Sequence, residues 1–312
     1  MMAVPKAAAG VFWSFLSAFL WATTYIVARV LMRDKSPDID PETLSLIRFA
    51  VGGGLLWGIA FVSDRKALFS FKLKDYFNLA MLGIFAYVGM SVLLFRGMQY
   101  TEAVNSSMIM GCSPVMTMLI GILFGIKISA RQGVGMVVST LGGLIVVGVI
   151  TLDGWQFVPG ALAGDGLVLL AALSWAISTV LAAKLLKGGN ELAITSWSML
   201  FAAAVLFVMG MCRPQGIQLP ESPITWGYVL YIGVFTTALA FFAWNSALSR
   251  ISVNLVSVMQ YLTQVMTLIM AYFILHESLG WFKLAGVIMV LAGMAFFSGK
   301  SKGRGKCSAA EK

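Results

Sequence analysis

The sequence predicts an all-α integral membrane protein of ten transmembrane helices, built from two five-helix repeats of inverted topology. Three observations carry that prediction. Charged residues are scarce, long apolar runs alternate with short polar links, and the pattern recurs at a spacing of about 150 residues.

Charge decides the class. Of 312 residues, 11% are charged and 59% are hydrophobic, whereas soluble domains carry roughly 25% charged residues. Nearly every long segment is apolar all round, which suits helices surrounded by lipid. The formal net charge is +9, but the cations sit in the links and the tail. They orient spans and give no basic face for nucleic acid. Cys112, Cys212 and Cys307 are far apart and His276 is the sole histidine, so neither a disulfide framework nor a metal or other cofactor site is expected.

A hydrocarbon core of about 30 Å needs about 20 apolar residues in a helix. Spans are expected at 11–32, 43–63, 76–95, 103–126, 131–150, 162–185, 192–212, 226–248, 253–275 and 281–299. The first is longer than a signal-peptide core of about 7–15 residues. It ends in Arg29, Arg33 and Lys35 with no small-residue cleavage site, so it reads as a retained span. The runs are too long, and lack the period of two, for barrel strands.

With the amino terminus inside, 15 of the 22 basic residues fall on the inner side, among them Arg65, Lys66, Lys72, Lys74, Arg250 and five in the tail. The positive-inside rule therefore predicts a multi-pass protein of the cell (inner) membrane with both termini cytoplasmic. The expected units are a first repeat over 1–151, a second over 152–299 and a basic tail over 300–312, which is too polar to insert.

The repeat is visible residue by residue. Leu82-Gly83-Ile84-Phe85 matches Ile232-Gly233-Val234-Phe235, Ser107 matches Ser257, and Gly143 matches Gly293. At a slightly larger offset Trp21-Ala22 matches Trp175-Ala176, Thr24 matches Ser178, and Arg33 matches Lys187. Five spans is an odd number, so the second repeat enters the membrane from the opposite side. Inverted repeats let one central site open alternately to each face, which points to a carrier.

These features resemble the EamA-type drug/metabolite transporter superfamily over essentially the whole membrane region. The residues that carry the resemblance are Leu20-Trp21-Ala22, Leu46-Ile47-Arg48-Phe49-Ala50, Ser113-Pro114-Val115, and the turn Ile274-Leu275-His276-Glu277-Ser278-Leu279. Three departures stand out. Lys127 replaces the acid of the first repeat's turn, His276 stands where the family's turn has glycine, and Gln264 stands opposite Pro114. The resemblance implies a ten-helix metabolite carrier, often an exporter, with no particular substrate.

Intramembrane polar residues are costly and mark candidate sites. Arg48 lies inside the second span. It either binds a substrate carboxylate or phosphate, or snorkels to the interface. Trp21, Thr24 and Tyr25 share one stripe of span 1, and Trp175 and Ser178 form the matching stripe of span 6. Aromatic faces with hydroxyls suit small amphipathic molecules, although tryptophan also favours interfaces and hydroxyls also join helices. In span 9, Asn254, Ser257, Gln260, Tyr261 and Gln264 recur at three- and four-residue steps and line one face, either for a solute or for bonds between helices. Span 8 adds Thr236, Thr237 and Asn245. Arg96 and Glu102 read as a surface pair, and the glycine pairs Gly54/Gly58 and Gly121/Gly125 as points of close helix packing.

No carboxylate lies deep in a span, so an acidic proton relay is not evident, and a role for His276 and Glu277 in coupling stays open. Intramembrane proteases need a histidine near a nucleophile or paired aspartates within spans, and neither is present. The chain is therefore not expected to be an enzyme, and its partners are a small-molecule substrate and the lipid bilayer. A monomer and a homodimer both fit. Neutral hydrogen-bonding groups with one arginine favour export of amino acids or related metabolites. The alternatives are drug-like, nucleotide-sugar or phosphate-ester solutes, or a non-transporting sensor or scaffold.

Overall fold

The computed structural model describes residues 6–32, 38–101, 103–123, 129–147, 150–151, 154–155, 159–186, 189–251, 253–259, 262–276 and 280–298. Helix α1 spans Lys6–Met32, α2 Pro41–Ser63 and α3 Leu73–Met98. Helix α4 is in two pieces, Ala103–Met110 and Ser113–Leu123, and α5 spans Ala130–Val147. A two-residue hairpin of β1 (Ile150–Thr151) and β2 (Gly154–Trp155) links the halves. Then come α6 Pro159–Leu185, α7 Glu191–Met211 and α8 Pro223–Leu248. Helix α9 has pieces Val253–Met259 and Leu262–Met270 with a π turn at Ala271–Leu275, and α10 spans Trp281–Ser298.

Six of these helices (α1, α2, α3, α6, α7 and α8) are long and apolar enough to cross a membrane. The remaining apolar helices are shorter. The expected span 103–126 is broken at Gly111–Cys112, just before Pro114. Proline has no N–H for the ladder and its ring crowds the preceding turn, so a new helix starts at Ser113 instead.

Capping fixes where helices begin. Asp40 accepts from the backbone N–H groups of Glu42 (3.1 Å) and Thr43 (3.0 Å), with Pro41 in the first turn. The same device recurs 150 residues on, where Asn190 accepts from Leu192 and Ala193, each at 3.0 Å. These side chains satisfy N–H groups that a helix start leaves open. Helices α3 and α8 each contain a π-helical stretch, Ile84–Gly89 and Ile232–Leu239, again at matched positions.

Helix partnerships repeat with the halves exchanged. Helix α2 packs on α7 and α5 on α10. Contact of α3 with α6 has its counterpart in α8 with α1, that of α3 with α7 in α8 with α2, and that of α4 with α6 in α9 with α1. Glycine lets the backbones approach. A Cβ on Gly83 would lie 2.4 Å from the Ser198 carbonyl oxygen, and one on Gly142 2.6 Å from that of Gly286. Gly54 and Gly58, expected at packing seams, face no neighbour, and the α2 seam falls on Gly52 and Gly53. At about 100° per residue, a shift of one position carries a glycine from the seam toward lipid.

Polar clusters tie both ends of the molecule. At one end Arg213 reaches Asp40 (2.7 Å) and Glu42 (3.5 Å), and Arg96 also bonds Glu42. Arg96 thus meets an acid on α2; its expected partner Glu102 lies outside the described residues. At the other end the Arg250 guanidinium donates to both Glu191 carboxylate oxygens at 3.1 and 3.0 Å, and Asn190 Nδ2 donates to Asp64 at 3.3 Å.

Candidate functional site

Arg48 sits in the second turn of α2 and is 2% exposed. It does not reach an interface. Its Nε donates to the Thr237 hydroxyl at 2.8 Å, and its guanidinium carbon lies 4.8 Å from the Phe49 ring centre and 5.3 Å from that of Phe95. Among the described residues it forms no ion pair with a carboxylate. The π-helical stretch of α8 presents Thr237 to it, and Gly233 allows α8 to close on α2 beside Val51 and Arg48. The matching position in α7 is Ser198, so one half alone supplies the charge.

Arg48 lines a cavity between the helices. Helix α1 contributes Trp21, Thr24 and Tyr25, and α3 contributes Met90 and Leu94. Met110, Trp175, Phe241 and Thr263 complete the wall. The Thr263 hydroxyl is buried and has no hydrogen-bond partner among the described residues, so it can bond an occupant. The Thr24 hydroxyl turns back to the Leu20 carbonyl at 3.3 Å, a long bond that leaves it available.

A second, narrower cavity, with room for about one water in this conformation, adjoins the first. It is lined by Leu82, Ala86 and Tyr87 of α3, by Ser178, Thr179 and Ala182 of α6, and by Trp244 and Asn245 of α8. Asn245 Nδ2 donates to the Thr195 hydroxyl at 2.6 Å, and Ser178 Oγ donates to the Trp175 carbonyl at 2.7 Å. Among the described residues no charged side chain lines this cavity.

Trp175 and Phe241 belong to both cavities. Trp21 and Trp175, matched by the repeat, meet edge to face with centroids 5.4 Å apart. The Phe241 ring lies 5.2 Å from Trp21, 5.8 Å from Trp175 and 4.9 Å from Tyr87. Trp244 sits 5.2 Å from Trp21 and 5.4 Å from Trp175. Such offset and edge contacts suit aromatic quadrupoles.

The structure thus brings Trp21, Thr24, Tyr25 and Arg48 to one cavity, Ser178 and Asn245 to the other, and Trp175 to both. Asn254, Ser257 and Gln264 lie on the two pieces of α9, whose side chains at these positions are outside the description, and Gln260 and Tyr261 lie outside the described residues. Thr263, Tyr87 and Phe241 were not singled out from the sequence. Thr263 sits one residue from Gln264 on a polar stripe and was within reach of that reading. Tyr87 and Phe241 carry no such mark among the 21 phenylalanines and 8 tyrosines of an apolar chain.

The EamA-like transporter family model matches the chain twice, over residues 8–148 and 162–299. The chain is 26% identical to the uncharacterized transporter YyaM of Bacillus subtilis (strain 168), over 83% of this chain and 85% of that protein. It is likewise 26% identical to an uncharacterized transporter of Archaeoglobus fulgidus, over 91% of this chain and 96% of that one. Its fold is similar to that of a crystallised protein with TM-score 0.71 and 15% identity, over 93% and 96% of the two chains. At that identity the likeness is one of fold alone.

Proposed function

The chain belongs to the EamA-like transporter family, and from that membership we propose that it is a secondary carrier with ten spans that exports amino acids or related metabolites by alternating access. That it is a multi-pass membrane transporter follows from the family and from the six long apolar helices. The solute, the direction and the mechanism are our reading.

One observation carries it. Arg48 is a buried guanidinium that lines the larger cavity and has no carboxylate partner among the described residues. An unpaired ion away from water costs several kcal/mol. A solute carboxylate in the cavity supplies the missing counter-charge and forms two parallel hydrogen bonds with the planar fork. Trp21, Trp175 and Phe241 cover an apolar body, and Thr24 and Thr263 bond further polar groups. The tryptophan faces also attract an ammonium, at about 0.5–2 kcal/mol, without an acid in the cavity.

The test is comparative metabolite profiling of medium and cytoplasm in cells with the wild type, Arg48→Ala or Arg48→Lys. We expect an amino acid or related carboxylate to accumulate outside with the wild type. Losing a charge-assisted hydrogen bond of about 1.5–3 kcal/mol lowers its apparent affinity roughly 10- to 150-fold in Arg48→Ala. Lysine restores charge without the fork and recovers only part. Full export by both variants removes Arg48 from the mechanism, and unchanged profiles throughout remove export.

The reading also places both termini in the cytoplasm. In a chain carrying Cys112→Ser and Cys212→Ser, the tail residue Cys307 is expected to react with an impermeant thiol reagent only after cells are permeabilised. Labelling in intact cells reverses the orientation.

A further inference from the structure

The two cavities lie at different depths, and chain direction fixes their order. Gly97 meets Gly164 while Gly89 meets Ser174, so α3 and α6 are antiparallel. Gly10 meets Ile251 and Thr23 meets Tyr231, so α1 and α8 are antiparallel. Arg213 follows α7 and bonds Asp40 at the start of α2, while Asp64 follows α2 and bonds Asn190 at the start of α7. Arg29 near the end of α1 donates to the Met98 carbonyl at the end of α3 at 3.0 Å, and Arg96 near the end of α3 bonds Glu42 at the start of α2, so helices α1, α3 and α7 run toward one end of the molecule, and α2, α6 and α8 toward the other.

Five helices then agree on the order of the cavities. In the larger chamber, Thr24 and Tyr25 follow Trp21 on α1, Leu94 is late on α3, and Arg48 is early on α2. All lie toward the end where α1 and α3 finish. In the smaller chamber, Tyr87 is earlier on α3, Ser178 follows Trp175 on α6, and Asn245 follows Phe241 on α8. All lie toward the end where α6 and α8 finish. Between them stands the aromatic layer, whose members Trp175 and Phe241 are walls of both. Phe241 is 1% exposed and touches rings from α1, α3 and α6. The inverted repeat gives each chamber one copy of the aromatic–hydroxyl stripe, Trp21–Thr24 for one and Trp175–Ser178 for the other.

We propose that Phe241, backed by Trp175, is the partition of a two-station path: the Arg48 chamber serves one membrane face, the Tyr87–Asn245 chamber serves the other, and solute crosses when the Phe241 ring moves. The first station holds the solute's anionic group. The second offers uncharged hydrogen-bonding groups and holds the solute less tightly; with both termini cytoplasmic it lies on the cytoplasmic side, so an exported solute enters there and leaves from the Arg48 chamber. This deepens the carrier reading and rests on it for the crossing step, but the placement of the chambers does not.

The test uses the full chain with Cys112, Cys212 and Cys307 replaced by serine and a single Thr24→Cys or Ser178→Cys. A charged, impermeant methanethiosulfonate is applied to right-side-out and inside-out vesicles. A minor conformation is populated at about 0.1–10%, so each cysteine should react at least about tenfold faster from one face. The favoured faces should be opposite for the two cysteines, and Phe241→Ala should bring both ratios toward parity. Where the alanine variant fails to stay monodisperse, Phe241→Leu should move the ratios in the same direction by less. A shared favoured face, equal labelling from both faces with Phe241 intact, or ratios untouched by the Phe241 variants would overturn the proposal. Labelling needs no solute. Asymmetric labelling without export therefore keeps the chambers and removes the export reading, and export with symmetric labelling does the reverse.

Discussion

His276 holds φ 53° and ψ 32°, the one non-glycine residue with positive φ among those described. It ends the π turn of α9 at the position where the sequence departs from the family's glycine. A side chain in the left-handed region costs about 1–2 kcal/mol, and glycine removes that cost while adding about 0.4–1 kcal/mol of unfolded-chain entropy. We therefore expect His276→Gly to raise stability by about 0.5–1 kcal/mol and His276→Val to lower it, as measured by thermal unfolding in detergent. An unchanged melting temperature in both would mean the turn relaxes freely. Arg48 was legible for the reason that makes it costly, since a guanidinium in an apolar run has no bland explanation other than snorkelling. Its burial decides against snorkelling, and no sequence pattern reports burial. Phe241 was not legible, because an aromatic residue in a span reads the same whether it faces lipid, a seam or a partition.

Among the elements, the seams depend on helix phase. The sequence offers Gly54 and Gly58 as a spaced pair, yet they face open space, while Gly53 sits against Met199 and Leu200. Gly54 and Gly58 have the spacing of a packing motif and the adjacent Gly52 and Gly53 do not, so the rotation of α2 about its axis, and not spacing, decides which glycines meet a neighbour. The π stretches of α3 and α8 bear on the same point. A wider turn shifts the phase of everything beyond it, so Met90 and Leu94 reach the Arg48 chamber on a face that a uniform helix would not predict. At Gly142 an added methyl would meet the Gly286 carbonyl oxygen at 2.6 Å and the Val290 nitrogen at 2.7 Å, all of it backbone. Gly142→Ala should cost about 1–3 kcal/mol through overpacking of α5 on α10, whereas Gly54→Ala, with open space for its methyl, should raise stability by about 0.5–1 kcal/mol. Equal effects at the two positions would show that the α5–α10 seam yields more readily than its backbone contacts suggest.

At the scale of the molecule, the halves are tied at both ends, and the ties differ. One end has Asp40 and Glu42 facing Arg213 and Arg96, and the other has uncharged or singly charged bonds between the halves, from Asn190 to Asp64 and from the Trp197 indole to the Leu68 carbonyl. Partial burial opposes ionisation of Asp40, but hydrogen bonds from the Thr43 hydroxyl, from Arg213 and from backbone N–H groups outweigh it and hold the carboxyl below its ordinary value of 3.8. Arg213 is held charged above its ordinary range, chiefly by its bond to Asp40. Because the folded-state value of Asp40 is depressed, its contribution to stability is full at neutral pH and is lost only as pH falls below about 3.8. We expect Asp40→Asn to lower the melting temperature at pH 7 and to reduce the difference from wild type under strong acid. A difference that stays constant down to that range would mean the tie contributes through shape and not through charge.

The sequence by itself determined the class, the repeat and the helical stretches, because scarcity of charge, run length and period are properties of the chain that lipid reads directly. It also exposed Arg48 and the paired Trp21 and Trp175. Tertiary structure alone decided that α4 breaks before Pro114, that the α2 seam runs through Gly52 and Gly53, and that the matched stripes of α1 and α6 serve two chambers and not one. Those outcomes depend on how each helix is rotated and how deep each residue sits. Both are set by contacts between residues far apart in the chain, such as Arg48 with Thr237 and Phe241 with Tyr87.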